Sequence, residues 1–310
     1  HRAHGVMAVF GPFNFPGHLP NGHIVPALLA GNTCVFKPSE LAPGVAVHMA
    51  EAFEAAGLPE GCLNIVHGAR ETGGALLNAE INGLLFTGSA NTGVFFHKHF
   101  AGRPDVILAL EMGGNNPLII WDPASVEAAA DIAAQSAFLT TGQRCSCARR
   151  IILPEGKFGD DVIEAIVARA KALKIGSWDE EDVFMGPLVS EAAAQAATDF
   201  QMMLSKAGGK SLRRLKRMDR GGGFVTAGVI DVTTTRYGSR RTAKCALAFS
   251  TATGQPQEPV ARCHSAAPAC QATSGRGRIT PQTIAHGHKQ ARYPTKLNAW
   301  VRKASRNDRF

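Results

Sequence analysis

Acidic residues are nearly missing from the last quarter of this chain. Residues 234–310 hold 2 Asp or Glu against 14 Lys or Arg, whereas residues 1–233 hold 23 against 19. The net charge of +8 is therefore local, and it does not mark the whole chain as a binder of nucleic acid or of anionic surfaces. Large apolar residues are scarce in the same quarter: Leu, Ile, Val and Phe number 8 of 77, too few for a separate core. Long apolar runs are missing throughout, so no membrane-spanning helix is expected, and the first residues lack a secretory signal pattern. Cysteine lacks framework spacing. The seven, at 34, 62, 145, 147, 245, 263 and 270, are an odd set without repeated intervals, which excludes a secreted disulfide scaffold and fits a reducing cytoplasm. Cys145 and Cys147 form a Cys-x-Cys pair, and Cys263, His264, Cys270, His286 and His288 match no structural zinc pattern, so no metal is expected. Internal repeats are missing as well.

What is present is an alternation of short β-rich runs with helical segments, the pattern of a parallel sheet wrapped by helices. Strands are expected at 6–10, 33–37, 62–67, 83–87, 106–110, 118–121, 150–153 and 229–232. In segment 45–56, Val45, Met49 and Phe53 share a face, and Gly57 with Pro59 ends the helix. Asp122 and Pro123 read as the cap and first position of a helix to about 140. Val162, Ile163, Ile166, Val167 and Ala170 form one stripe over 160–173, and Ser190 can cap a helix to about 207. Beyond Thr233 no period is legible. The division expected is a partial cofactor-binding unit over 1–111, a partial catalytic unit over 112–233, and a basic segment, 234–310, without order of its own.

Four places could carry chemistry. Phe86 to Gly93 takes an apolar strand through a glycine turn into a helix, where backbone N–H groups can hold an anion; a plain strand-to-helix turn is the commoner explanation of such a stretch. It is neither the G-x-G-x-x-G fingerprint nor a P-loop. Lys37-Pro38-Ser39-Glu40 follows a strand at the edge where open α/β sheets bind ligands. Its carboxylate could accept from ribose hydroxyls, and a capped turn with a solvated lysine is the alternative. Glu111 ends an apolar run before Gly113 and Gly114, a setting for proton transfer or simply the end of a strand. Cys145 follows Arg144 in a turn, which suits a nucleophilic thiolate, although an inert buried cysteine is the commoner case.

The order of these blocks resembles the NAD(P)-dependent aldehyde dehydrogenase superfamily. The matching residues are Gly11 to Pro16, Lys37 to Glu40, Phe86 to Ser89, Leu110 to Gly114 and Gly142 to Cys145. The flanking residues 17–23, 113–117 and 144–150 narrow the resemblance to a branch active in arginine catabolism. The resemblance implies an α/β fold with a doubly wound cofactor domain and an α/β catalytic domain. It implies that Cys145 attacks an aldehyde, that Asn14 and the Cys145 N–H hold the oxyanion, and that Glu111 activates water. It implies NAD as cofactor, with Lys37, Ser39 and Glu40 at the adenosine ribose and Gly88, Ser89, Ala90, Asn91, Thr92 and Gly93 along the dinucleotide. A small-molecule aldehyde is the implied partner, with no membrane and nucleic acid not favoured; a homo-oligomer is implied for the intact family and not carried over to this chain.

The resemblance covers 1–233 and stops. The Glu-x-Phe-Gly-Pro block with which such proteins continue does not occur in 234–310, and the abrupt change in composition suggests a gene read out of frame. The expectation is a truncated chain that binds NAD poorly and turns over slowly. Two other readings are an anionic-polymer binder acting through the basic segment, and a thiol esterase using Cys145 and Glu111 without a nucleotide.

Overall fold

A computed structural model describes residues 2–235 and, for the backbone alone, 243–249. The first sheet contains β1 (Val6–Phe10), β2 (Thr33–Lys37), β3 (Leu63–Ile65), β4 (Gly83–Gly88) and β5 (Ile107–Met112). The strand order is β3-β2-β1-β4-β5 and every pairing is parallel. Side chains alternate across a strand, so β1 feeds two cores at once. Met7 and Val9 pack with Ile24, Phe36 and Met49 on one side, while Ala8 and Phe10 pack with Leu84, Phe86 and Phe96 on the other. Helices α1 (His18–Leu29) and α2 (Pro43–Ala55) supply the first side, and α3 (Arg70–Leu77) and α4 (Ala90–His99) supply the second. Burial on both faces explains why residues 6–10 are apolar without alternation.

The expected first-sheet strands all form, with ends displaced by up to two residues. Helix α1 has no counterpart in the sequence expectations, because Pro20, Gly22 and Pro26 all read as helix breakers. Pro20 falls in the first turn, where the absent N–H would have no helical acceptor. Burial of Pro20, Ile24 and Ala27 holds the helix on the sheet despite Pro26. Asp122 does not cap the next helix either, since its φ of 51° puts it in a left-handed turn. The cap is Ser125, whose side chain accepts the Ala128 N–H at 3.2 Å to open α5 (Val126–Phe138). Helix α6 (Lys157–Ala172) carries the anticipated stripe, and Ser190 caps α7 (Glu191–Lys206), accepting the Ala193 N–H at 3.1 Å.

The second sheet contains β6 (Asn116–Ile119), β7 (Ala148–Pro154), β8 (Lys210–Arg213), β9 (Gly228–Asp231) and β10 (Ala243–Phe249). Its order is β6-β7-β10-β9-β8, with only β6 and β7 parallel. The expectation of no order beyond Thr233 therefore fails for 243–249, which pair with β7 on one side and β9 on the other. A seven-residue run can satisfy its backbone groups between two existing strands even where the surrounding composition is poor in apolar residues. The remaining expectations for 234–310, including an anionic-polymer surface, lie outside the described residues. The chain passes from β5 to β6 through only Gly113, Gly114 and Asn115.

Candidate active site

Parallel strands put all their carboxyl ends on one edge, and the order β3-β2-β1-β4-β5 opens a crevice between β1 and β4, where successive connections leave in opposite directions. Lys37, the loop 11–17, the turn after β4 and Glu111 all lie along that edge because each follows or ends a strand. Lys37 is buried, 7% exposed, which overturns the alternative of a solvated lysine. Its ammonium donates to the Pro38 carbonyl at 3.0 Å and lies 3.6 Å from Glu40 Oε2. A buried ammonium needs such partners, and with three N–H groups it retains one donor for a ligand. The Ser39 hydroxyl accepts the Leu41 N–H at 3.3 Å, and Glu40 is exposed.

At the end of β4 the turn is capped from within. Ser89 Oγ accepts the Thr92 N–H at 3.2 Å and stands 2.9 Å from Thr92 Oγ1, so that N–H is not free for an anion. Gly93 serves the packing of α4 on β5, for a Cβ there would stand 2.3 Å from the Met112 sulfur. Ala90 is half-buried and Asn91 exposed on the first turn, beside Gly88 at the strand end. A dinucleotide fits these residues: the crevice is at the strand-order reversal, Lys37 has a donor to spare, and Glu40 offers a carboxylate to hydroxyls.

Cys145 is held by a segment unlike these. A short 3-10 turn, Leu139–Gly142, has Thr140, Thr141 and Gly142 all left-handed, at φ of 57°, 54° and 65°. Two β-branched residues in that region store roughly 1–3 kcal/mol of strain each. Neighbouring bonds hold them there. Thr141 Oγ1 donates to the Gly186 carbonyl at 2.8 Å, Gln143 Nε2 to the Pro187 carbonyl at 3.3 Å, and Gln143 Oε1 accepts the Val189 N–H at 2.9 Å. Asn116 Nδ2 then donates to the carbonyls of Cys145 at 2.6 Å and Cys147 at 3.1 Å. The Cys145 thiol is exposed, while Cys147 is buried and Cys34 more so. Burial pushes the Cys34 thiol up to about 11, with Cys62 adding to the effect, and burial raises Cys147 as well. Those two remain neutral thiols at neutral pH, which leaves Cys145 as the accessible sulfur of the pair.

A direct contact ties the Asn14 loop to the Cys145 segment, while Glu111 stands near the end of β5 on the same strand edge as the Asn14 loop. Asn14 Nδ2 donates to the Gln143 carbonyl at 2.7 Å, which fixes the loop after β1 against the Cys145 segment and leaves a second amide N–H available. The Cys145 N–H has no acceptor among the described residues. Glu111 pairs in register with Thr87, and Thr87 Oγ1 lies 3.1 Å from His23 Nε2. Burial lowers the His23 pKa, and the Glu111 charge opposes that in part, so the imidazole is neutral at neutral pH. Glu111 itself is exposed, contrary to the apolar setting expected for it, because β5 is the edge strand of its sheet. His23 and Asn116 are site residues to which the sequence reading gives no role. Both lie inside the quoted blocks, but nothing in their spacing tells which backbone groups they meet.

Among the described residues, no group of three His, Cys, Asp or Glu side chains is placed to hold a metal ion, and no helix is long and apolar enough to cross a membrane.

The fold, with a parallel sheet feeding a mixed one, and a cysteine turn facing an asparagine loop, defines a class. The chain belongs to the aldehyde dehydrogenase family, whose pattern matches residues 1–238. It is similar to N-succinylglutamate 5-semialdehyde dehydrogenase 2 of Caulobacter vibrioides, at 58% identity over 236 residues, 75% of this chain and 48% of that protein. The enzyme of that name from Serratia proteamaculans is 55% identical over 238 residues, 76% of this chain and 49% of that protein. The chain spans about half the length of the curated relatives it matches. Among solved structures, it resembles an aldehyde dehydrogenase of Brucella melitensis biovar abortus 2308, with a TM-score of 0.69 at 34% identity, over 74% of this chain and 47% of that one. The NAD+ complex of a Bacillus cereus aldehyde dehydrogenase gives 0.70 at 32% identity, over 74% and 47% of the two chains.

Proposed function

We propose that this chain oxidises N-succinylglutamate 5-semialdehyde, or a related semialdehyde, to the carboxylate with NAD, within arginine catabolism. The observation that carries the reading is the hydrogen bond from Asn14 to Gln143, which ties an amide donor to the turn that presents Cys145. The Cys145 thiolate adds to the aldehyde carbon, and the charge that develops on oxygen is met by the second Asn14 N–H and the Cys145 N–H. Bound NAD supplies a hydride acceptor. Loss of hydride from the thiohemiacetal leaves a thioester on Cys145. Glu111 takes a proton from water, the resulting hydroxide attacks the thioester carbon, and the carboxylate leaves as the Cys145 thiolate reforms. Lys37 and Glu40 would hold the adenosine ribose, Ser39 shapes their turn, and residues 88–93 would lie along the dinucleotide. The carboxylate of Glu40 disfavours a phosphate at the ribose 2′ position and so favours NAD over NADP.

The substrate comes from the names of the relatives that match at 58% and 55% identity. The same reading divides the chain at 111 into cofactor-binding and catalytic parts, with a cytoplasmic location, and keeps homo-oligomer assembly for the intact family. The experiment is NADH formation from N-succinylglutamate 5-semialdehyde, compared with simple aliphatic aldehydes. Cys145→Ala is expected to lower the rate by about 10⁴-fold or more. A rate that survives that substitution refutes the mechanism, and equal rates on every aldehyde refute the substrate.

A further inference from the structure

Arginine is the residue suited to planar, two-point recognition of a carboxylate, and three arginines, 144, 149 and 150, cluster around Cys145. The structure separates them. Arg149 donates to the Arg144 carbonyl at 3.3 Å, and Arg150 Nε to the Asn115 carbonyl at 3.2 Å, so both support the backbone. Arg144 makes no backbone bond with its guanidinium. Its Nε donates to Thr140 Oγ1 at 2.9 Å, and its central carbon lies 5.1 Å from the centre of the Phe15 ring. The first contact comes from the strained turn before Cys145, and the second from the residue after Asn14. The guanidinium is thus gripped at its inner nitrogen and along one face by the two segments that carry the nucleophile and the amide donor. Its four outer N–H groups have no acceptor among the described residues.

Charge points the same way. Arg103, Arg169, Arg217 and Arg220 each pair with an Asp or Glu, whereas Arg144 has no carboxylate partner among the described residues although it is half-buried. A guanidinium fixed by a ring and a hydroxyl loses little rotamer freedom when it binds, which favours a fixed, forked contact over a mobile one.

We infer that Arg144 is the anchor for a substrate carboxylate, and that this site prefers aldehydes carrying an anion at the far end of a short chain. The inference rests on the reading of Cys145 as nucleophile and adds the residue that selects the substrate class. In N-succinylglutamate 5-semialdehyde the α-carboxylate is separated from the aldehyde by a short aliphatic stretch, an arrangement suited to a thiol and a guanidinium carried by consecutive residues, Cys145 and Arg144.

Two measurements on the full chain test it. The first compares kcat/KM for the carboxylated semialdehyde and for a neutral aliphatic aldehyde of similar length. Arg144→Gln is expected to lower the former by about 10–100-fold, the worth of hydrogen bonds to a charged group, and the latter by less than about threefold, with Arg144→Lys in between. The second needs no turnover: alkylation of Cys145 by iodoacetate, an anion, and by iodoacetamide, its neutral analogue, followed by mass spectrometry of the peptide containing residue 145. The iodoacetate-to-iodoacetamide rate ratio is expected to fall several-fold in Arg144→Gln, since an effect on thiol reactivity alone slows both reagents together. An unchanged ratio, or an equal loss on both aldehydes, overturns the inference. If the chain forms no NADH from any aldehyde, the oxidation reading fails while the alkylation ratio still decides for or against Arg144. If Arg144→Gln does not fold, Arg144→Lys, which keeps the charge and loses the fork, gives the same comparison.

Discussion

The two sheets achieve a middle strand by different routes. In the first, β1 is flanked by β2 and β4, all within residues 6–88, and Met7, Ala8, Val9 and Phe10 are buried in two cores. In the second, β7 and β9 meet only through β10, which comes from the part of the chain with the fewest large apolar residues. The same contrast appears in how each sheet supports chemistry. The first presents Lys37, Gly88 and Glu111 simply because parallel strands end on one edge. The second holds Cys145 through side-chain hydrogen bonds and a left-handed turn, so its geometry depends on particular residues. Topology tolerates substitution; a strained turn held by single contacts does not.

Breaking the second sheet at its centre has the largest expected effect. Leu247→Pro removes the N–H of a residue paired with Arg150 on one side and Ile230 on the other. It is expected to destabilise that half by roughly 3 kcal/mol or more, seen as an early unfolding step in urea with the first sheet intact. An unchanged transition means that 243–249 contribute nothing to the sheet.

Next is the turn that carries Cys145. Asn116→Ala removes two hydrogen bonds to the Cys145 and Cys147 carbonyls, and a misplaced nucleophile costs on the order of 10²-fold in kcat. Ser39→Ala, on the other sheet, should leave kcat near the parent value; similar losses in both variants erase the contrast. Lys37→Met takes away the buried ammonium at the edge of the first sheet and is expected to weaken NAD by about 10–100-fold, measured by calorimetric titration, while the position of Cys145 and its alkylation rate stay as they were.

The smallest effect is a pH dependence. Burial holds His23 below its ordinary value of 6.5, so the unfolded chain binds the proton more readily. The stability linked to His23 is complete above about pH 6.5 and declines as pH falls through the lower folded value. His23→Gln should flatten the Tm profile between pH 7 and 5; a parallel profile excludes the linkage.

Much of the architecture is legible in the sequence where one physical signal acts alone. Residues 6–10 and 33–37 are strands because continuous apolar runs suit a sheet buried on both faces, and Ser190 caps α7 because its hydroxyl meets the Ala193 N–H. Signals fail where tertiary contacts oppose them. The prolines of α1 argue against a helix that burial on β1 and β2 then enforces, and the weak composition around 243–249 argues against a strand that two waiting partners then pair. Lys37 reads as solvated because its four-residue turn cannot reveal that α3 covers it, with Gly73 close to its aliphatic stem.

By itself the sequence determined the alternation of strands and helices, the family blocks, and the residue types able to attack, donate and accept protons. These follow from local covalent chemistry and from apolar spacing that needs no knowledge of distant partners. Only the tertiary structure decided that Asn14 meets Gln143, that Asn116 holds the Cys145 carbonyl, and that Arg144 lies over Phe15 with no carboxylate of its own. Those contacts join residues 29 to 129 positions apart, and a hydrogen bond or a ring contact forms only when folding has brought both groups within a few ångströms.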